Sequence, residues 1–149
     1  MINKFILADD DQDDSDLFNE ALKGIDNSIE IVVANNGKEL IAKLTSQSID
    51  PEVIFLDINM PEMNGWECLE LIKQQNDLKN IPVIMYSTSS ASIYGKKAVK
   101  SGAMGFYEKP TNFLQLQDFL KNITQSSKQE LKKTLKELQA SKVHTIYTD

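Results

Sequence analysis

The sequence has few of the features that mark secreted or membrane proteins. It contains one cysteine, Cys68, which cannot form an internal disulfide and which we expect to be a small core residue rather than a nucleophile. It has no apolar run near the ~20 residues that a membrane-spanning helix needs. The apolar stretch at the N-terminus stops at Asp9, too early for a signal peptide. We therefore expect a cytoplasmic protein without a membrane partner.

The sequence also has fewer basic than acidic residues. The chain has 16 Lys and Arg against 22 Asp and Glu, a net charge of −6 at pH 7. Nucleic-acid backbones attract basic surfaces, so this balance argues against direct binding to nucleic acid. The length of 149 residues and the 41% hydrophobic content fit one globular domain with its own core.

Short apolar runs alternate with amphipathic patterns of helical period along the first 124 residues. This alternation predicts an α/β fold with a doubly wound, five-stranded parallel sheet and helices on both faces. The predicted strands cover 5–8, 29–34, 53–57, 81–87 and 104–107, and the predicted helices cover 13–24, 37–48, 65–75, 91–101 and about 113–123.

The remaining residues, 125–149, have a different pattern. Leu131, Leu135 and Leu138 form a narrow apolar stripe, which predicts an amphipathic helix over 128–142 that continues the fifth helix. We expect a domain over 1–124 followed by a helical extension or tail, without an output domain. The stripe would need a partner surface, which is the domain's own flank, the same segment of a second copy in a homodimer, or a target protein.

Five polar residues follow the predicted strands, where a doubly wound sheet places its binding crevice. Asp9 and Asp10 follow the first strand, Asp57 ends the third, Ser87 ends the fourth and Lys109 follows the fifth. Each has an ordinary interpretation as a cap, turn or surface residue. Their coincidence at matching strand ends favours one shared site.

This set of side chains suits phosphoryl chemistry. Clustered carboxylates repel one another, and a hard cation such as Mg²⁺, which prefers oxygen ligands, relieves that repulsion. A carboxylate can attack phosphorus and become an acyl phosphate, while a lysine and a serine hydroxyl contact the phosphoryl oxygens. A calcium loop of the EF-hand type is the competing interpretation of the acidic run, but Asp14 occupies the position that needs glycine.

Four segments within residues 3–123 resemble the receiver domain of bacterial response regulators. They are 6–10, the long segment 53–65, the strand 81–87 and the pair Lys109-Pro110. The resemblance implies the flavodoxin-like strand order 2-1-3-4-5 and a cis peptide bond before Pro110.

The resemblance also implies a role for each site residue. Mg²⁺ would be bound by Asp10 directly, by Asp9 through water, by Asp57, and by the backbone carbonyl of Asn59. Asp57 would accept the phosphoryl group.

Around the phosphoryl group, Ser87 would contact it and Lys109 would bridge toward it. Phe106 would be the switching aromatic residue that swings inward. Thr88 stands where smaller residues are usual, and we expect it to narrow access to the acyl phosphate.

The resemblance implies a switch in two-component signalling rather than an enzyme with an outside substrate. Its expected partners are a sensor histidine kinase or a histidine phosphotransfer protein, and a downstream target protein. An aspartyl-phosphate phosphohydrolase is disfavoured because Asn59 stands where such enzymes carry a proton-shuttling Asp. A binding module that does not use phosphate remains the third alternative.

Overall fold

The computed structural model describes residues 1–46 and 48–149, which form one six-stranded sheet with helices on both faces. In those residues no helix is both long and apolar enough to cross a membrane. The strands are β1 (Lys4–Ala8), β2 (Glu30–Ala34), β3 (Val53–Leu56), β4 (Val83–Ser87), β5 (Gly105–Glu108) and β6 (Ile146–Thr148). The helices are α1 (Gln12–Ile25), α2 (Gly37–Thr45), α3 (Gly65–Gln74), α4 (Ala91–Lys100), α5 (Phe113–Gln125) and α6 (Leu131–Ser141).

The strand order is β2-β1-β3-β4-β5-β6, so the predicted order of the first five strands is confirmed. β1 pairs in parallel with both β2 and β3, which places the reversal of strand order beside the end of β1. A crevice at this reversal is where doubly wound sheets bind their ligands.

The sixth strand was not predicted. β6 pairs antiparallel with β5 and extends the sheet beyond the five parallel strands. Three residues are too short to show a strand period in the sequence, so the pattern of 125–149 pointed only to a helix.

Apolar side chains form one core on each face of the sheet, because successive residues of a strand point to opposite sides. Ile54 and Phe106 belong to the core beneath α2, α3 and α4, while Phe55 and Tyr107 belong to the core beneath α1 and α5. Cys68 is a fully buried core residue, as predicted, and burial raises the pKa of its thiol to about 11.

The helices that leave the site loops begin at side-chain caps. Asp11 precedes α1 and accepts a hydrogen bond from the Asp14 N–H at 3.0 Å. Asn64 and Glu67 form a reciprocal capping box at the start of α3. These caps fix where the chain turns after β1 and β3, and therefore where the residues at those strand ends lie.

The predicted leucine stripe is buried against the protein's own flank. Leu131, Leu135 and Leu138 of α6 join the core that contains Tyr107 and Phe119. α6 does not continue α5 as expected: α5 ends at Gln125, and the non-helical residues 126–130 separate the two helices. A change of direction is required because an unbroken helix would carry the stripe away from this core.

Candidate functional site

The carboxyl ends of β1 and β3 bring together the three acidic residues that were expected to share a site. Carboxylate oxygens of Asp9, Asp10 and Asp57 all lie within 4.8 Å of one another. Asp9 and Asp57 are buried, while Asp10 is exposed. The backbone explains this proximity, because the Asp9 N–H donates to the Ala34 carbonyl and the Asp57 N–H donates to the Ala8 carbonyl, both at 3.0 Å.

Lys109 places its ammonium group among these carboxylates. Its Nζ lies 2.8 Å from Asp9 Oδ2, 2.8 Å from Asp14 Oδ2 and 3.3 Å from Asp57 Oδ2. The side chain is only 8% exposed, so Lys109 is buried within the site. One cation thus balances part of the charge of four clustered acids.

Burial and charge shift two pKa values in this cluster. Burial raises the pKa of Asp9 to about 6, and repulsion from Asp57 adds to this, against the lowering effect of hydrogen bonds from Lys109 and the Asp11 N–H. Burial would lower the pKa of Lys109, but the bonds to Asp14 and Asp9 and the charge of Asp57 outweigh it and raise that pKa. The lysine is therefore a permanent cation here, and Asp9 remains an anion near neutral pH.

The loop after β3 approaches Asp57 closely. Asp57 Oδ1 accepts the Ile58 N–H at 2.8 Å, which leaves Oδ2 toward Lys109. The Gly65 N–H donates to the Ile58 carbonyl at 2.8 Å, and a Cβ on Gly65 would lie 2.2 Å from the Asp57 carbonyl oxygen. Only glycine fits there. Asn59, two residues after Asp57, has an exposed side chain.

Ser87 is the last residue of β4, and Thr88 follows it. Ser87 is fully buried, and its Oγ accepts the Ser89 N–H at 3.2 Å. The Lys109 N–H donates to the Ser87 carbonyl at 2.8 Å, so the ends of β4 and β5 are tied together. Thr88 is exposed at the surface beside Ser87.

Phe106 is fully buried in the core on the α4 side. It pairs with Met85 of β4 on one side and with Tyr147 of β6 on the other. Its ring therefore already has the inward position that the resemblance assigns to a switched state. This structure does not contain the exposed conformation of Phe106 from which the expected inward swing would begin.

The peptide bond between Lys109 and Pro110 is trans, so the expectation of a cis bond is wrong. The trans isomer is intrinsically favoured even before proline. The Lys109 side chain reaches all three of its carboxylate partners with the bond in this form.

Two residues at the site were not singled out from the sequence. Asp14 pairs with Lys109, and its place in the first turn of α1, one turn after Asp10, was the available signal. Glu108 Oε1 accepts the Ala91 N–H at 2.9 Å, so a β5 side chain satisfies a backbone donor in the first turn of α4. Only the pairing of β5 with β4 reveals this contact.

The donor set fits a hard divalent cation. Oxygen atoms of three carboxylates lie within 4.8 Å of one another, and one of the three residues, Asp10, is exposed to solvent. Oxygen ligands of this kind suit Mg²⁺, which also retains water and shares its coordination sphere with phosphate. The EF-hand interpretation fails, because Asp11 caps α1 and the acidic run follows a strand.

Comparison with known proteins gives the family. The model of the response regulator receiver domain matches residues 5–121. The protein-glutamate methylesterase/protein-glutamine glutaminase 3 of Rhodospirillum rubrum is 37% identical over 134 residues, which cover 83% of this chain and 35% of that protein. The response regulator Rcp1 of Synechocystis is 38% identical over 89 residues, 56% of this chain and 60% of that protein. The chain thus spans less than two thirds of the length of these relatives.

Solved structures agree. The phosphorylated cyanobacterial phytochrome response regulator RcpA has a TM-score of 0.75 at 30% identity, covering 83% of this chain and 91% of that one. The Mn²⁺-bound form of Rcp1 has a TM-score of 0.69 at 33% identity, covering 80% and 91%. The match over most of the chain shows that this protein belongs to the family of response regulator receiver domains.

Proposed function

We propose that this protein is a phosphorylation switch of two-component signalling in which Asp57 accepts the phosphoryl group. The observation that carries the proposal is the arrangement around Asp57: a buried carboxylate between Asp9, Asp10 and the ammonium group of Lys109. Asp57 is a buried carboxylate that lies beside a fixed cation and other acids. This arrangement favours phosphoryl transfer over a purely structural ion pair.

The reaction assigns the two oxygens of Asp57 to different tasks. The Ile58 N–H holds Oδ1, so Oδ2, next to Lys109, is the oxygen that bonds to phosphorus. As that O–P bond forms, the bond from phosphorus to the nitrogen of a donor histidine breaks, and the nitrogen keeps the electron pair. The products are an acyl phosphate on Asp57 and a neutral histidine on the donor, whose other ring nitrogen carries the proton.

Charge neutralisation is the main contribution of the surrounding residues. Asp9, Asp10, Asp57 and the Asn59 carbonyl would hold Mg²⁺, which supplies positive charge next to the phosphoryl oxygens. Lys109 contacts an oxygen on another side. The Ser87 hydroxyl, whose oxygen accepts the Ser89 N–H, donates its own proton to a third oxygen.

The partners follow from the chemistry. The donor is a sensor histidine kinase or a histidine phosphotransfer protein, and a target protein reads the phosphorylated state in the cytoplasm. The structure of phosphorylated RcpA supports the phosphorylation of Asp57, and the structure of Mn²⁺-bound Rcp1 supports the binding of a divalent cation beside it. We propose that the chain does not turn over an outside substrate, since Asn59 cannot act as the acid or base that a phosphohydrolase needs.

The metal requirement can be tested with beryllofluoride, which mimics the phosphoryl group. We expect stoichiometric binding in millimolar Mg²⁺ and loss of binding in excess chelator, because Lys109 alone does not offset the clustered carboxylates, which repel an anion. Native mass spectrometry measures both states. Equal binding in chelator would contradict the metal requirement.

The Thr88 side chain should prolong the life of the acyl phosphate. It is β-branched and exposed next to Ser87, where it hinders an approaching water molecule. We expect Thr88→Ala to speed the loss of phosphate several-fold, on the order of 2–5 times. The decay of the phosphorylated mass gives the rate, and Thr45→Ala, at an exposed position at the end of α2, is the control. An unchanged rate for Thr88→Ala would refute the shielding role.

A further inference from the structure

The edge of the parallel sheet is closed by residues 143–149, here called the arm. Within the arm, β6 pairs with β5 so that Tyr147 lies opposite Phe106 and Thr148 opposite Gly105. The Glu108 N–H donates to the Thr145 carbonyl at 3.0 Å, and Thr148 Oγ1 donates to the Met104 carbonyl at 2.8 Å. Without the arm, β5 would present a row of unpaired backbone groups.

Two glycines shape the groove that holds the arm. A Cβ on Gly95 of α4 would lie 2.3 Å from the Cβ and 2.5 Å from the Cγ of Tyr147. A Cβ on Gly105 of β5 would lie 3.1 Å from the Tyr147 carbonyl oxygen. The groove between α4 and β5 therefore accepts an extended strand that carries one aromatic side chain over Gly95.

The arm and α6 are held by different contacts. In the arm, Ile146 is buried in the core and His144 Nε2 lies 2.8 Å from Asp118 Oδ2. α6 is anchored by Leu131, Leu135 and Leu138, which are 0%, 0% and 8% exposed. The chain then turns through Lys142, whose φ of 60° is left-handed, to Val143, which is 59% exposed. β6 has only three residues, so its detachment would give up the contacts of Ile146 and His144 while the leucines of α6 keep theirs.

Glu108 links this groove to the phosphoryl site. Glu108 lies opposite Ser87 in the β4–β5 pairing and immediately precedes Lys109. Ser87 and Lys109 are the two residues proposed to contact the phosphoryl group. The backbone N–H of Glu108 binds the arm at Thr145, and its carboxylate binds the Ala91 N–H of α4. A shift of the β5 end therefore acts on both the arm and α4.

We propose that the groove between α4 and β5 is a strand-docking site for a partner protein, that the arm occupies it in the unphosphorylated state, and that phosphorylation of Asp57 releases the arm. The partner supplies an extended segment with an aromatic residue in the place of Tyr147, and pairs with β5 by backbone hydrogen bonds. The proposal rests on the proposed function of Asp57. The arm itself shows which chemistry the groove recognises.

Hydrogen exchange on the full chain tests the release. Once mass spectrometry shows beryllofluoride bound, the amides of residues 145–148 should lose protection by about tenfold or more, while those of α6 stay protected. Unchanged protection of 145–148 in protein that carries beryllofluoride would overturn the release. Failure to bind beryllofluoride at all would instead count against the function of Asp57.

A synthetic peptide with the sequence of residues 143–149 tests the docking site. We expect it to bind the beryllofluoride-loaded protein at least about tenfold more tightly than the unloaded protein, and to lose binding when its tyrosine is replaced by alanine. The variant Tyr147→Ala loosens the arm but leaves Gly95 and β5 intact, so it should bind the peptide without beryllofluoride. Val143→Ala, at an exposed arm position, should behave as the wild type. Equal, weak binding by loaded, unloaded and Tyr147→Ala protein would overturn the docking site.

Discussion

Replacing Lys109 by alanine is expected to lower the free energy of unfolding of the metal-free protein by about 3 kcal/mol. The lysine is 8% exposed and pairs with Asp9, which is fully buried, and with Asp57, which is nearly so. Its removal leaves these carboxylates close together in a poorly solvated site with no counter-charge. A domain that begins with about 5–15 kcal/mol of stability still folds after such a loss.

Mg²⁺ should restore much of this stability, because the ion replaces the missing positive charge and binds only the folded site. Urea unfolding of wild type and Lys109→Ala, with Mg²⁺ and with chelator, measures the effect. Lys96→Ala, at an exposed position on α4, removes a lysine without touching the acids and is the matched control. A loss no larger than that of Lys96→Ala, with no dependence on Mg²⁺, would show that Lys109 does not hold the cluster together.

The convergence of the site could be predicted because it follows from topology. Polar residues after apolar runs at 9–10, 57, 87 and 109 must meet if the strands are parallel, since their carboxyl ends share one edge. The alternation of the elements made the parallel sheet predictable. Metal chemistry then followed from the kinds of residue involved, before any distance was known.

The depth of Lys109 and its pairing with Asp14 could not be predicted in the same way. A lysine after a strand is more often exposed, and the sequence does not show that α1 brings Asp14 within 2.8 Å of its ammonium group. The Glu108 contact to α4 depends on the register between β4 and β5, which cannot be deduced from the sequence.

The fate of residues 125–149 was only partly predictable. The leucine stripe gave the helix, but three surfaces were equally able to cover it, and only tertiary packing selects the protein's own flank. The break after α5 and the three-residue β6 lack a periodic signal of their own. The close fit of Gly95 to Tyr147 explains why a glycine is tolerated inside α4, where it costs about 1 kcal/mol relative to alanine.

The central claim is that Asp57 carries the phosphoryl group, and intact-mass measurement after incubation with acetyl phosphate and Mg²⁺ tests it most directly. Wild-type protein should gain the mass of one phosphoryl group, whereas Asp57→Asn should gain none, because an amide oxygen is not a nucleophile for phosphorus under these conditions. Asp77→Asn, at an exposed position after α3, makes the same chemical change away from the site and should label like the wild type. Stoichiometric, persistent labelling of Asp57→Asn would contradict the assignment of Asp57 and, with it, the account of the switch.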